Sequence, residues 1–166
     1  MAPSDPILAR LLAEHTQLRD LAATLGGMLA ASEPPSDGTL TDTRWSMARL
    51  MLRHLPVEDR HVFRRLEAHD NPAVRARMAG FRIDLNALYG AYQHHGARWT
   101  EDTVRADWFG YRAATRHLLA SLTGMMDREE SELYPLLDDA PAAEGRAPDA
   151  RNWAGDAWAI RANLGR

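Results

Sequence analysis

The chain has 166 residues, of which 45% are hydrophobic and 26% are charged. This length and balance are typical of one globular domain with its own core, and they exclude disordered chains, collagen-like chains and disulfide-stapled mini-proteins. Because the formal net charge is −3, we do not expect a nucleic acid as a partner. The absence of cysteine excludes disulfides, thiolate metal sites and cysteine nucleophiles.

The hydropathy pattern predicts neither a membrane span nor a targeting segment. A bilayer-spanning helix needs roughly 18 or more consecutive apolar residues, and the sequence has no such run. The first dozen residues lack the basic region and long apolar stretch of a signal peptide. We therefore expect a cytoplasmic protein without a membrane partner.

The spacing of apolar residues predicts an all-α protein, because they recur at intervals of three and four and β-branched residues are sparse. The first predicted helix runs from about Pro6 to Ala31 and the second from Thr41 or Asp42 to about Glu67. The third begins near Pro72 and reaches Trp99, with a break near Gly80 left open. After a loop over residues 100–106, the fourth ends between Leu137 and Pro141. Four such helices with short connections predict an up-down-up-down four-helix bundle over residues 1–140.

Residues 141–166 form a predicted C-terminal tail rich in Ala, Gly, Pro and Asp. Trp153, Ala157, Ile160 and Leu164 would share one face of a helix, which predicts a short docking helix. That helix either covers the end of its own bundle, the favoured interpretation, or binds a protein partner.

Four polar side chains fall where the helix patterns place the core. His15 lies in the apolar stripe of the first helix and Glu129 in that of the fourth, while His54 and Glu58 form an i, i+4 pair on the second. Buried carboxylates without partners are costly, so carboxylates that converge from two helices need a cation, a shared proton or an arginine between them. We therefore predict a positive centre inside the bundle.

The motifs around these residues resemble the hemerythrin-like, or HHE cation-binding, family. They are EHTQLR at residues 14–19, HLPVEDRHVF at 54–63 and REESELYP at 128–135, and the resemblance covers roughly residues 6–138. The family pattern is a histidine on helix one, His-x-x-x-Glu on helix two, a histidine on helix three and His-x-x-x-Glu or Asp on helix four. The resemblance implies a non-haem metal site, usually iron, in the centre of a helical bundle.

The sequence departs from that pattern at two places. Met125 stands where the fourth helix of the family carries its histidine, and no histidine occurs between Phe81 and Leu85 on the third. His15, His54, Glu58 and Glu129 remain, enough for one iron, manganese or zinc ion. We therefore expect a mononuclear site used for sensing or binding, and neither a di-iron centre nor oxygen transport.

The alternative is a metal-free bundle that acts as a regulatory or scaffold protein. Arg82 lies near the level of the missing histidine, so its guanidinium could bridge Glu58 and Glu129 in place of a metal. Pro56 interrupts the backbone hydrogen bonds of the second helix, so His54 could point either inward or outward. An enzyme has the weakest support, because no second group of polar residues outlines a substrate pocket.

Overall fold

The computed structural model of the chain describes residues 5–142 and confirms the all-α fold. The α-helices are Pro6–Met28 (α1), Thr39–Glu58 (α2), Arg64–Glu67 (α3), Pro72–Arg98 (α4), Glu101–Ala106 (α5) and Trp108–Arg128 (α6). A π-helical turn over Asp59–Phe63 joins α2 to α3, and a second over Glu129–Leu133 joins α6 to the 3₁₀ helix Tyr134–Leu137. No strand occurs among these residues. The predicted tail helix lies outside the described residues.

The long helices pack in a closed ring, as a four-helix bundle requires. α1 packs on α2, α3 on α4, α4 on α6, and α6 on α1. The up-down-up-down order and the domain boundaries at residue 140 stay predictions. In the part of the chain that the structure describes, no helix is both long and apolar enough to cross a membrane.

The core consists of two apolar clusters, one toward each end of the bundle. One contains Leu18, Met51 and Trp99, and the other contains Leu11 and Val62 among other residues. His15 and the pair His54 and Glu58 lie along their helices between members of the two clusters. The polar residues therefore occupy a central layer with apolar packing on both sides.

Capping residues mark the starts of the helices, and some helix ends differ from the predicted boundaries. Asp5 and Asn71 accept backbone hydrogen bonds at the start of α1 and α4, each followed by a proline in the first turn. α4 passes through Gly80 without a break. Residues 100–106 are not the predicted loop, because α5 forms there with Thr100 as its N-cap and two acidic residues in its first turn.

Both π-helical turns begin beside a buried glutamate. The N–H of Arg64 donates to the carbonyl of Asp59, and that of Tyr134 donates to the carbonyl of Glu129, each across five residues. Glu58 is the last residue of α2, and Glu129 is the first residue of the second π turn. Isolated π turns within α-helices are common at functional sites, where they change the direction of a side chain.

Candidate metal centre

The polar side chains predicted from the sequence meet in the middle of the bundle. The Nε2 atoms of His15 and His54 are 3.2 Å apart. His54 Nε2 lies 3.3 Å from Glu58 Oε2, and His15 Nε2 lies 3.3 Å from Glu129 Oε2. All four residues are at most 3% exposed. Two imidazoles and two carboxylates from three helical segments thus share one dry interior.

Each histidine is oriented by a second carboxylate behind it. His15 Nδ1 lies 2.8 Å from Glu130 Oε1, and His54 Nδ1 lies 3.1 Å from Glu14 Oε2. A carboxylate can only accept at this contact, so each Nδ1 carries a proton, and a ring protonated at Nδ1 alone keeps its Nε2 lone pair for the interior. A carboxylate that holds the outer nitrogen of a histidine in this way is the usual support of a metal-binding imidazole.

Arginines keep these outer carboxylates ionised. Arg19 donates to Glu130 at 2.8 Å, while Arg10 and Arg53 donate to Glu14, each at 3.1 Å. Burial alone would raise the pKa of both carboxyls, but the hydrogen bonds from the arginines and histidines lower the pKa of each below its ordinary value. The outer acceptors are therefore charged at neutral pH.

Glu58 has one oxygen satisfied and one without a hydrogen-bond partner. The Tyr134 hydroxyl donates to Glu58 Oε1 at 2.7 Å and lies 3.4 Å from His15 Nε2. Burial, together with the nearby charges of Glu58 and Glu129, raises the pKa of Tyr134, so the phenol keeps its proton. Glu58 Oε2 is close to His54 Nε2, but the contact lacks hydrogen-bond alignment and leaves Oε2 buried with its lone pairs unused.

The inner groups carry more negative charge than the surrounding protein accommodates well. Burial and the charge of Glu58 raise the pKa of Glu129 well above 4.5. Burial would lower the pKa of His54, but the close carboxylate of Glu58 raises it above its ordinary value. Both shifts show an interior that favours bound positive charge, whether a proton or a metal ion.

The spacing of the inner atoms matches the requirements of a metal ion. Ligand atoms of His15, His54 and Glu58 all lie within 4.8 Å of one another. Metal–ligand bonds of about 2.0–2.2 Å place neighbouring donors of a tetrahedral site about 3.3–3.6 Å apart. The observed separations of 3.2–3.3 Å agree with that value. These residues could therefore hold a cation without a large rearrangement.

A cavity of about 30 Å³ adjoins the centre. His15, His54, Glu58 and Glu129 line it, and Leu85 and Met125 are among its apolar lining residues. This volume admits about one water-sized molecule. Leu85 and Met125 stand in the regions where the family pattern would place histidines, and neither supplies a nitrogen or oxygen donor to the cavity.

The predicted arginine bridge does not form. Arg82 donates to Asp59 Oδ1 at 2.7 Å and to Glu67 Oε1 at 2.6 Å rather than to Glu58 or Glu129. Asp59 and Glu67 follow Glu58 on the same helical run and face α4 closer to solvent, where a charged pair costs less desolvation. Pro56 does not turn His54 outward, because α2 continues through the proline and His54 is 3% exposed.

The family of the chain follows from its match to a domain model. The hemerythrin HHE cation binding domain matches residues 7–137, most of the chain. The chain belongs to the hemerythrin HHE cation-binding domain family. Comparisons with curated proteins and with solved structures give no match. In this hemerythrin-like domain, the central layer of histidines and carboxylates lies within the matched region.

Sequence reasoning missed three residues of this hemerythrin-like centre. Glu14, Glu130 and Tyr134 all lie inside the quoted motifs, two of them directly beside a predicted ligand. Glu14 is 3% exposed, which is unusual for a carboxylate. Its neighbours on α2 cover it. The acidic residues directly beside His15 and Glu129 were the signal available in the sequence.

Proposed function

We propose that the domain binds one metal ion, iron in the first instance, through His15, His54, Glu58 and Glu129. The observation that carries the proposal is the unpartnered Oε2 of buried Glu58, which lies 3.3 Å from His54 Nε2, itself 3.2 Å from His15 Nε2. Lone pairs that converge without a donor are stabilised by a cation. Carboxylate and imidazole donors suit iron, manganese and zinc.

The donors favour a single ion over a pair. Leu85 and Met125, which also line the cavity, offer no hard donor for a second ion. A di-iron oxygen carrier needs ligands on both sides, so we propose binding or sensing rather than oxygen transport. If iron is held by these residues, the adjoining cavity of about 30 Å³ has room for one water-sized molecule beside it.

The chain's own residues determine how such an ion is held. Glu130 and Glu14 fix the tautomers of His15 and His54, and the arginines keep those carboxylates charged. Tyr134 directs one oxygen of Glu58 by a hydrogen bond and leaves the other oxygen for the ion. The apolar walls exclude bulk water and strengthen each electrostatic contact.

Metal loading tests the proposal directly. Protein purified without chelator is incubated anaerobically with Fe(II), separated from free metal and assayed by elemental analysis. We expect about one equivalent for the natural chain, as a site with four protein ligands binds one ion. His54→Gln should lose the metal, while His117→Gln, an exposed residue of α6, should keep it. Less than about a tenth of an equivalent of any transition metal in the natural chain contradicts the proposal.

The second candidate is a metal-free regulatory or scaffold bundle. The raised pKa of His54 favours it, since protonated imidazoles could neutralise Glu58 and Glu129 without a metal. This candidate predicts that the melting temperature does not respond to Fe(II) or to chelator. A melting temperature that rises with Fe(II) concentration excludes it.

A further inference from the structure

A second, larger cavity lies mainly between α2, α4 and α6, with Leu25 of α1 also in its wall, away from the metal centre. Its volume is about 490 Å³, and it shares no lining residue with the 30 Å³ cavity beside Glu58. Pockets for small organic molecules measure about 300–1,000 Å³. The cavity is therefore too large for a single inorganic ion and of suitable size for a small molecule.

Arg44 is the charged group of this cavity. It is 8% exposed, and its Nη2 donates to the carbonyl of Trp99 at 2.6 Å. Its guanidinium carbon lies 5.5 Å from the centre of the Tyr111 ring. No carboxylate among residues 5–142 forms an ion pair with Arg44, although Arg19, Arg82 and Arg128 each have acidic partners. A buried guanidinium normally requires an anionic partner.

His95 and Tyr111 are neutral polar groups of the cavity. His95 Nε2 lies 2.9 Å from the Thr115 hydroxyl, and burial together with the charge of Arg44 lowers the pKa of His95 to about 4. Burial also raises the pKa of Tyr111, so its phenol stays protonated. No Asp or Glu of the described residues lines the cavity. At neutral pH the enclosed charge of Arg44 is therefore not balanced by a lining acid.

Apolar side chains form much of the remaining wall. Leu25, Met47, Leu118 and Leu119 line the cavity from three helices. Gly96 also lines it, and a Cβ built there would meet no atom within 4 Å. An occupant must accordingly combine one anionic group with an apolar body.

We propose that this cavity binds a small organic acid, with its carboxylate on Arg44 and its apolar body between α2, α4 and α6. Thr115, His95 and Tyr111 supply neutral hydrogen-bonding groups beside the carboxylate. The site is independent of the metal centre, so its failure leaves the proposed iron site intact.

Calorimetric titration with 2-naphthoate and its neutral analogue 2-naphthamide tests the proposal. A charge-assisted hydrogen bond to buried Arg44 should make the acid about ten- to hundredfold tighter than the amide. Arg44→Met should abolish that preference, and Arg44→Lys should retain part of it. Arg49→Met is the matched control, because Arg49 is exposed on the same helix.

Methionine methyl NMR on the natural chain places the bound acid without relying on any variant. Naphthoate should shift the signal of Met47, which lines this cavity, and leave that of Met125, which lines the metal centre. Equal affinity for acid and amide in the natural chain, no binding of either at millimolar concentration, or a shift confined to Met125 would each overturn the proposal.

Discussion

The effect of Glu129→Gln on stability should have opposite signs in the metal-free and the metal-bound protein. Glu129 is 3% exposed, and burial with the charge of Glu58 raises its pKa well above 4.5. The folded, metal-free protein therefore holds this proton more tightly than the unfolded chain does. The resulting stability is present below about pH 4.5 and is lost as the pH rises through the raised pKa.

The size of the effect follows from proton linkage. One proton that is bound in the folded but not the unfolded state changes stability by at most about 1.4 kcal/mol per pH unit. For a chain of this size that corresponds to about 3–6 °C in melting temperature per pH unit. His54 loses stability in the same direction as the pH rises, because its pKa is also raised. The charge of Glu129 is one cause of that raised pKa, so the difference between the two proteins reports Glu129 together with its effect on His54.

The assay is thermal unfolding of chelator-treated protein between pH 5 and 7, with and without Fe(II). Without metal, the melting temperature of Glu129→Gln should rise relative to that of the natural chain as the pH rises. Fe(II) should raise the melting temperature of the natural chain more, because the natural chain keeps the carboxylate ligand. Glu132→Gln is the matched control, since Glu132 lies on the same π turn with a side chain 40% exposed. Parallel pH profiles for the natural chain and Glu129→Gln, with the same response to Fe(II), would refute the reasoning.

The remaining predictions concern the supports of the centre and the ion itself. Glu14→Gln and Glu130→Gln should each weaken metal binding by about 10–100-fold in competition with a chromogenic chelator, because they free a histidine ring to turn; unchanged affinity would contradict this. Tyr134→Phe should lower the metal-free melting temperature by about 2–6 °C, since it removes a buried hydrogen bond of about 1–1.5 kcal/mol to Glu58; an equal melting temperature speaks against that role. Chelation should remove about 2.7 kcal/mol of stability relative to free metal at a hundred times its Kd, or about 5–11 °C, and a melting temperature independent of metal concentration would rule out linkage.

Helical periodicity located the central layer but did not determine its internal pairing. The pattern placed His15, His54, Glu58 and Glu129 on inward faces, and all four are buried there. Burial of a residue follows from its angular position on a helix, which the sequence encodes directly. The expectation that these residues share one interior could therefore be made before any coordinates.

Helical periodicity could not predict the partners of long side chains or local changes in the backbone. Several carboxylates were within reach of Arg82, and periodicity does not decide among them. In the fold, Arg82 forms ion pairs with Asp59 and Glu67. The π turns beside Glu58 and Glu129 each add one residue to a helical turn. A single added residue produces no repeat in the spacing of apolar residues, so the sequence pattern does not reveal it. The isolated charge of Arg44 depends on which acids are absent around it, a property of the packed molecule alone.

The most direct test of the central claim is an anomalous-scattering map, collected at the iron edge, from crystals grown with Fe(II) under anaerobic conditions. We expect one peak within bonding distance of the Nε2 atoms of His15 and His54 and of the inner oxygen of Glu58. A map with no peak in this layer, or with iron only at surface carboxylates, would contradict the account.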